Sequence, residues 1–418
     1  MNTQLPMSRR SIAIAAMSTV VEWYDFTLYL YFATVLARLF FPGGGGLVTA
    51  LGGFALAYLM RPIGAVVFGH FGDSRGRRPA MLASMALMTA AMAVTAMLPT
   101  AVQVGPVAGA LLIGVRCVMG FSVGGEYTGV VAYLLEGAAP GRRGLVTSLA
   151  AAASEVGGLL AVGVSALTVW LLPEASVAGW GWRLPFLFGA LLAGSVLFAR
   201  THIEETPHFE ALREARAVPA NPLRDAVRDQ RPGILRGFAI SALGSITYYV
   251  GITYVPAYLT AVAHVPEGRA LGLATWAAAA VIAVTPLTGL LADRWGRRPV
   301  IVVLAGASAM LPIAMFHMMA GSSWPVACAG AVLLAVVAGG VSAVGAVASA
   351  EQVPAAMRLS GLALGVTSAT AFFGGFAPWL AQVLMVRTGS PLVPGILIAV
   401  VACAVLPVLW TMPETRPK

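Results

Sequence analysis

Gly69-His70-Phe71-Gly72-Asp73-Ser74-Arg75-Gly76-Arg77-Arg78-Pro79 recurs in the second half of the chain as Gly289-Leu290-Leu291-Ala292-Asp293-Arg294-Trp295-Gly296-Arg297-Arg298-Pro299. Each copy follows a long apolar segment and precedes another. A single copy reads as no more than a tight basic turn. Two copies in corresponding places make the chain a duplicated bundle of membrane helices, built to move something across a bilayer. Gly and Pro set the turn, while Asp73 and Asp293 can cap a neighbouring helix terminus or pair with Arg77, Arg78, Arg297 or Arg298. Such an inner latch can be made and broken.

Composition agrees. The chain is 59% hydrophobic and 10% charged, with mean hydropathy +0.85, far more apolar than a soluble protein. The net charge of +9 sits in short loops rather than in a stripe or tail, so it argues for membrane orientation and against nucleic-acid binding. Cys117, Cys328 and Cys403 lie in apolar runs without ligand spacing, which predicts small core residues and neither a disulfide nor a metal site. The first apolar stretch contains Glu22 and Asp25 and outruns a signal-peptide core, so it is expected to stay as the first span.

About twelve segments reach the roughly 20 residues needed to cross a 30 Å hydrocarbon layer. They fall at 12–40, 47–72, 79–99, 105–131, 145–172, 183–200, 235–262, 270–292, 299–320, 325–350, 359–387 and 391–412. The predicted fold class is an all-α membrane protein of twelve transmembrane helices in two pseudo-symmetric six-helix bundles. The expected domains are an amino-terminal bundle over 1–200, a polar cytoplasmic linker over 201–233 and a carboxy-terminal bundle over 234–418. Arginines concentrate on one side of this arrangement, which places both termini and the linker in the cytoplasm. Glu136 to Arg143 after helix 4 recurs as Glu351 to Arg358 after helix 10, a second sign of parallel repeats. These four residues join the duplicated motif as candidate gating residues.

These strings resemble the major facilitator superfamily, whose loop between helices 2 and 3 has the pattern G-x-x-x-D-R-x-G-R-R. Further strings resemble its metabolite:proton symporter family: Val21-Glu22-Trp23-Tyr24-Asp25-Phe26, Leu59-Met60-Arg61-Pro62-Ile63-Gly64, Gly120-Phe121-Ser122-Val123-Gly124-Gly125-Glu126-Tyr127 and Gly181-Trp182-Arg183-Leu184-Pro185-Phe186. Within that family, Ala369-Thr370-Ala371-Phe372-Phe373-Gly374-Gly375-Phe376-Ala377-Pro378 is similar to the citrate-proton symporters. The resemblance implies a multi-pass transporter of the cell inner membrane, driven by protons with sodium as the alternative coupling ion, with no cofactor, working as a monomer. Three departures stand out: Ser74 where the superfamily has Arg, Met119 where citrate carriers have Gln, and Glu155 where Gln is usual.

An ionisable side chain near the bilayer centre costs roughly 2.5 to 3.5 kcal/mol on insertion scales, so it faces a cavity or a partner. Asp25, Arg116 and Glu155 fall near mid-depth, with Arg61, Glu22 and Glu126 nearer the cytoplasm, all in the first repeat. Glu22 and Asp25, three apart, share a helix face. Arg116 is expected to stand in a watery pocket and take a substrate carboxylate, while Asp25, assisted by Glu22, Glu126 or Glu155, carries the proton. A static buried ion pair that fixes helix packing is the alternative. Arg61 is either a substrate contact or a packing residue, and Glu126 is either a proton carrier or a helix contact. Tyr31 in helix 1, Tyr248 and Tyr249 in helix 7, and Glu155 complete the candidate substrate set. His317 is read as structural, and Arg387 either draws anions into an outward vestibule or snorkels to a lipid headgroup.

Import of citrate or a related di- or tricarboxylate by proton symport is the leading expectation. No phosphate-cradling loop, HExxH pair or soluble domain marks an enzyme or a nucleotide-driven pump. An osmolyte symporter for proline or betaine is the first alternative, although its osmosensing members carry a coiled coil after helix 12. A drug-proton antiporter is less favoured, because helix 5 lacks a Gly-Pro ending. A non-transporting receptor would need a signalling domain.

Overall fold

A computed structural model describes residues 8–42, 46–321 and 323–416. Among these residues the ordered elements are all helices, with no strand. The chain divides into two compact units, Met1–Tyr133 with Ala153–Pro222, and Leu134–Ala152 with Leu223–Lys418.

The first unit contains α1 (Arg9–Tyr31), α2 (Ala33–Phe40), α3 (Gly46–Arg75), α4 (Arg77–Met97) and the single-turn α5 (Ala101–Val104). Next come α6 (Val107–Gly137) and α7 (Arg143–Leu171), whose facing ends belong to the second unit, followed by α8 (Glu174–Ser176), α9 (Arg183–Arg200) and α10 (Pro207–Glu214). Its core gathers Tyr24, Tyr29, Phe32, Phe40, Trp182 and Phe186 with aliphatic residues from α4 and α6. The second unit begins with α11 (Pro222–Asp229) and α12 (Arg231–Tyr248). It continues through α13 (Val255–Val262), α14 (Glu267–Trp295), α15 (Arg297–Gly321), α16 (Trp324–Glu351), α17 (Arg358–Leu362), α18 (Ser368–Thr370), α19 (Ala377–Thr388) and α20 (Val393–Thr411). Its core packs Tyr258, Phe316, Leu334 and Ile398.

Nine helical stretches among the described residues are long and apolar enough to cross a membrane. The remaining three expected segments are helical too: α1 with α2, α3, and α12 with α13. Four details differ from the sequence reading. The 12–40 segment breaks at Phe32, which leaves helical geometry at φ −91° and ψ 3°. The duplicated motif is helix almost throughout, with the turn reduced to Gly76 at φ 113° and Gly296 at φ 106°, where a side chain would be strained. The polar linker holds two short helices, α10 and α11. The cysteines are not core residues, since Cys117 and Cys328 are half-buried and Cys403 is exposed.

The helices expected at 235–262 and 359–387 are interrupted by π-helical turns at Tyr249–Thr253, Ala363–Thr367 and Ala371–Phe376. Two of them precede a proline in the next helix, Pro256 in α13 and Pro378 in α19. Proline lacks an N–H and crowds the carbonyl one turn back, and a widened turn relieves both faults.

The string Gly120–Tyr127 does its work as a packing surface. A Cβ at Gly120 would strike the Ala57 carbonyl oxygen, one at Gly124 the Arg61 carbonyl oxygen, and one at Gly64 the Phe121 carbonyl oxygen. Small residues on both helices therefore let the α3 and α6 backbones touch. Gly120→Val should lower the thermal stability of the purified protein by about 1–3 kcal/mol, the usual range for overpacking. Gly114→Ala on the same helix, where a Cβ meets nothing within 4 Å, should leave the melting temperature unchanged or slightly higher.

Candidate functional site

Away from the duplicated motif, charged side chains buried in the apolar helices of the first unit form three arginine–carboxylate pairs among the described residues. Arg116 on α6 donates from Nη1 to Asp25 Oδ2 on α1 at 2.7 Å and from Nη2 to Thr95 Oγ1 on α4 at 2.9 Å. Its guanidinium lies over the rings of Tyr29 and Phe186, 5.4 and 5.8 Å from their centroids. Arg61 on α3 pairs with Glu22 on α1 and lies over Tyr58 at 4.8 Å and Phe26 at 5.8 Å. Arg200, closing α9, grips both oxygens of Glu126 and also donates to Ser18 and to the Met81 carbonyl. Ser84 donates a further 2.7 Å bond to Glu126.

Burial ranks these pairs. Arg200 and Arg116 side chains are 0% and 4% exposed, whereas Arg61 reaches 12%. Arg116 therefore differs from the expectation of a watery pocket: its guanidinium is engaged by Asp25, Thr95 and two rings inside the first unit. Asp25 Oδ1, Arg116 Nε and Glu22 Oε2 are buried without a hydrogen-bond partner among the described residues. Such pairs hold together while intact, and losing one partner strands a charge at high cost.

Glu155 is buried on α7. Tyr249 is buried with its ring against Gly374, and Tyr248 is half-buried beside it with ring centroids 5.5 Å apart. Tyr31 ends α1, and its side chain lies outside the described residues. Arg387 and His317 are exposed. Tyr258 donates to the carbonyls of Pro391 and Phe316, which makes it a packing residue of the second unit.

The duplicated motif builds the same device twice. Asp73 pairs with Arg77 at 3.2 Å and Asp293 with Arg297 at 3.1 Å, each across the glycine turn between two helices. Arg77 and Arg297 each donate at 3.0 Å to a carbonyl near the end of the preceding helix, Gly72 and Ala292. The backbone N–H groups of Arg77 and Arg78 donate to Glu205, and those of Arg297 and Arg298 to Glu414, each at 3.0–3.1 Å. A carboxylate thus caps each helix start, where unpaired N–H groups and the helix dipole favour negative charge. Burial pushes Glu205 above the usual carboxylate range despite these donors. Burial also pushes Glu414 up, but the N–H groups of Arg297, Arg416 and Arg298 and the Arg297 charge outweigh it and leave Glu414 low.

Inside the second unit the four residues of the seven-spaced repeat meet crosswise. Arg358 donates to Glu136 at 2.6 Å, and Arg143 lies 3.7 Å from Glu351. Glu351 also receives Arg297 Nε at 3.0 Å and the Thr415 hydroxyl at 2.6 Å. Asp293 caps the start of α7, accepting from the N–H groups of Gly144 and Leu145 at 2.8 and 2.9 Å.

Sequence reasoning missed Arg200, Thr95, Ser84, Glu205 and Glu414. Arg200 ends α9, where a lone arginine looks like an ordinary orientation charge. A signal for the caps was present, because Glu205-Thr206 and Glu414-Thr415 each follow the sixth helix of a repeat.

The sugar (and other) transporter family model matches residues 11–225 and 221–418. The α-ketoglutarate permease of Escherichia coli K12 is 34% identical over 89% of this chain and 86% of its own length. The glycine betaine/proline/ectoine/pipecolic acid transporter OusA of Dickeya dadantii is 30% identical over 98% of this chain and 84% of its own. The citrate-proton symporter of Klebsiella pneumoniae is 29% identical over 90% and 85%. In structure the chain is similar to the major facilitator proton:xylose symporter XylE bound to 6-bromo-6-deoxy-D-glucose. The TM-score is 0.81, with 18% identity over 97% of this chain and 96% of that one.

Arg200→Met should lower stability by about 3–5 kcal/mol by stranding Glu126, and a second change, Glu126→Leu, should recover much of it. Melting of the purified single and double variants checks this. Because its folded pKa is depressed, Glu414 contributes stability above the unfolded carboxylate pKa and loses it as pH falls through the folded value. Glu414→Gln should therefore lower stability at neutral pH and flatten its decline toward acid, read from melting temperature against pH.

Proposed function

We propose, on the premise that this chain belongs to the sugar (and other) transporter family of the major facilitator superfamily, that it imports a small organic anion by proton symport. The cargo is citrate or a related di- or tricarboxylate, and the path is alternating access between two repeats. The observation that carries the reading is the Arg116–Asp25 pair, 2.7 Å apart and buried among aromatic rings.

Each paired arginine of the first unit already holds a carboxylate: Arg61 has Glu22, Arg116 has Asp25 and Arg200 has Glu126. An arriving anion gains an arginine only by replacing a side-chain carboxylate. The replaced carboxylate is then buried without its cation, and staying ionised there costs several kcal/mol, so it takes a proton. Cargo and proton thus enter together. Asp25 carries the coupling proton in this reading, and Arg116, braced by Thr95, sets when Asp25 is released. The motif aspartates, their arginines and the Glu136, Arg143, Glu351 and Arg358 set act as the inner latch. Arginine placement supports cytoplasmic termini in an inner-membrane protein. In this reading the chain works as a monomer coupled to a proton.

The names of the α-ketoglutarate permease and the citrate-proton symporter support a di- or tricarboxylate. A second reading, import of a zwitterionic osmolyte, is favoured by the similarity to OusA over 98% of the chain. Uptake of labelled citrate, α-ketoglutarate and glycine betaine into proteoliposomes under an inward proton gradient separates them. Accumulation of an acid that a protonophore abolishes is expected, and accumulation of betaine alone selects the second reading. Asp25→Asn should keep cargo exchange at equal pH and lose gradient-driven accumulation. Undiminished accumulation in that variant would sink the proton role of Asp25.

A further inference from the structure

Two acid–arginine pairs share α1 one helical turn apart, and they differ in surroundings. Asp25 and Arg116 are closed in by Thr95, Tyr29 and Phe186. Glu22 meets an arginine whose side chain is 12% exposed, the most accessible of the three paired arginines. Arg61 is also framed by a run of rings: Trp23 packs on Phe26 at 5.3 Å, Phe26 on Tyr58 at 5.9 Å, and the guanidinium lies over both Phe26 and Tyr58. The rings orient the planar cation without using its N–H donors, so those donors remain directed at a carboxylate. Glu22 Oε2 is buried with no hydrogen-bond partner among the described residues, although Glu22 as a whole is 1% exposed. One strong contact therefore holds this carboxylate, where Arg200, Ser84 and the surrounding helices hold Glu126 through several.

We propose that Arg61 is the cargo-carboxylate site and that Glu22 is its resident stand-in, displaced and protonated when cargo binds. This rests on the reading of the chain as a proton-coupled carboxylate importer. The exchange balances: the cargo carboxylate takes the N–H donors of Arg61, and Glu22 takes one proton from solution and becomes a neutral acid. The charged groups around Glu22 are Arg61 from α3, Glu126 from α6 and Arg200 from α9, with Asp25 one turn along α1. Phe26 and Tyr58 flank the cargo's carbon skeleton, so an acid with an extended or planar body fits better than a compact one.

The test is binding of citrate and of α-ketoglutarate to purified full-length protein, followed by calorimetry in buffers of different ionisation enthalpy to count protons. The wild type should take up about one proton per acid bound. Glu22→Gln should bind the acid more tightly, by roughly tenfold or more, because the competing carboxylate is gone, and should take up no proton in the binding step, since Glu22 takes the proton from solution and Asp25 receives it only later, as Arg116 is released. Arg61→Lys, which keeps the charge but loses the planar fork, should weaken binding by roughly tenfold or more at an unchanged melting temperature. If Glu22→Gln does not fold, Glu22→Asp, with its carboxylate drawn back from Arg61, should also bind more tightly than wild type. Proton uptake that persists in Glu22→Gln, or weaker binding in a folded Glu22 variant, overturns the assignment while leaving acid import standing. Binding and transport of neither acid rejects the importer reading and this proposal with it.

Discussion

Burying a charge in an apolar helix bundle costs several kcal/mol unless an opposite charge meets it, and this constraint organises the first unit. Arg61, Arg116 and Arg200 each meet one carboxylate, and the acids come from α1 and α6 while the arginines come from α3, α6 and α9. The pairs tie those helices together, so a change in ionisation is also a change in helix contacts. Close backbone approach at Gly64, Gly120 and Gly124 brings α3 against α6 and thereby sets where Arg61 and Glu126 can reach.

The second unit uses charge differently. Its ion pairs sit at helix ends, where Glu414, Asp293 and Glu351 accept from backbone N–H groups and from Arg297, Arg143 and Thr415. Contacts of this kind are stabilised by helix termini as well as by arginine. Deep pairs suit coupling and helix-end pairs suit a latch. The π-helical turns in the second unit, preceding Pro256 and Pro378, add segments where helix geometry is already loosened.

The duplicated Asp-x-x-Gly-Arg-Arg-Pro string made the repeat and the membrane class legible, and long apolar runs located nearly every helix. What periodicity could not show was the reach of arginine side chains. Asp73 on α3 and Arg77 on α4 pair across the Gly76 turn, and Arg77 also donates to the Gly72 carbonyl. The pairing of Asp25 with Arg116 followed from depth alone, since two opposite charges at one level of an apolar bundle have few other partners. Arg200 escaped because its position at a helix end matches an ordinary orientation charge, and only three-dimensional packing brings it to Glu126. Depth counting also cannot distinguish the enclosed Arg116 from Arg61, whose side chain is 12% exposed.

The central claim is that a proton on Asp25 accompanies release of Arg116. Infrared difference spectroscopy of the reconstituted protein, recorded between neutral and acidic pH, observes protonated carboxyl groups directly. The account predicts a protonated-carboxyl band that grows on acidification with cargo present and that Asp25→Asn diminishes, the remainder belonging to Glu22. A band that persists unchanged in that variant would contradict it.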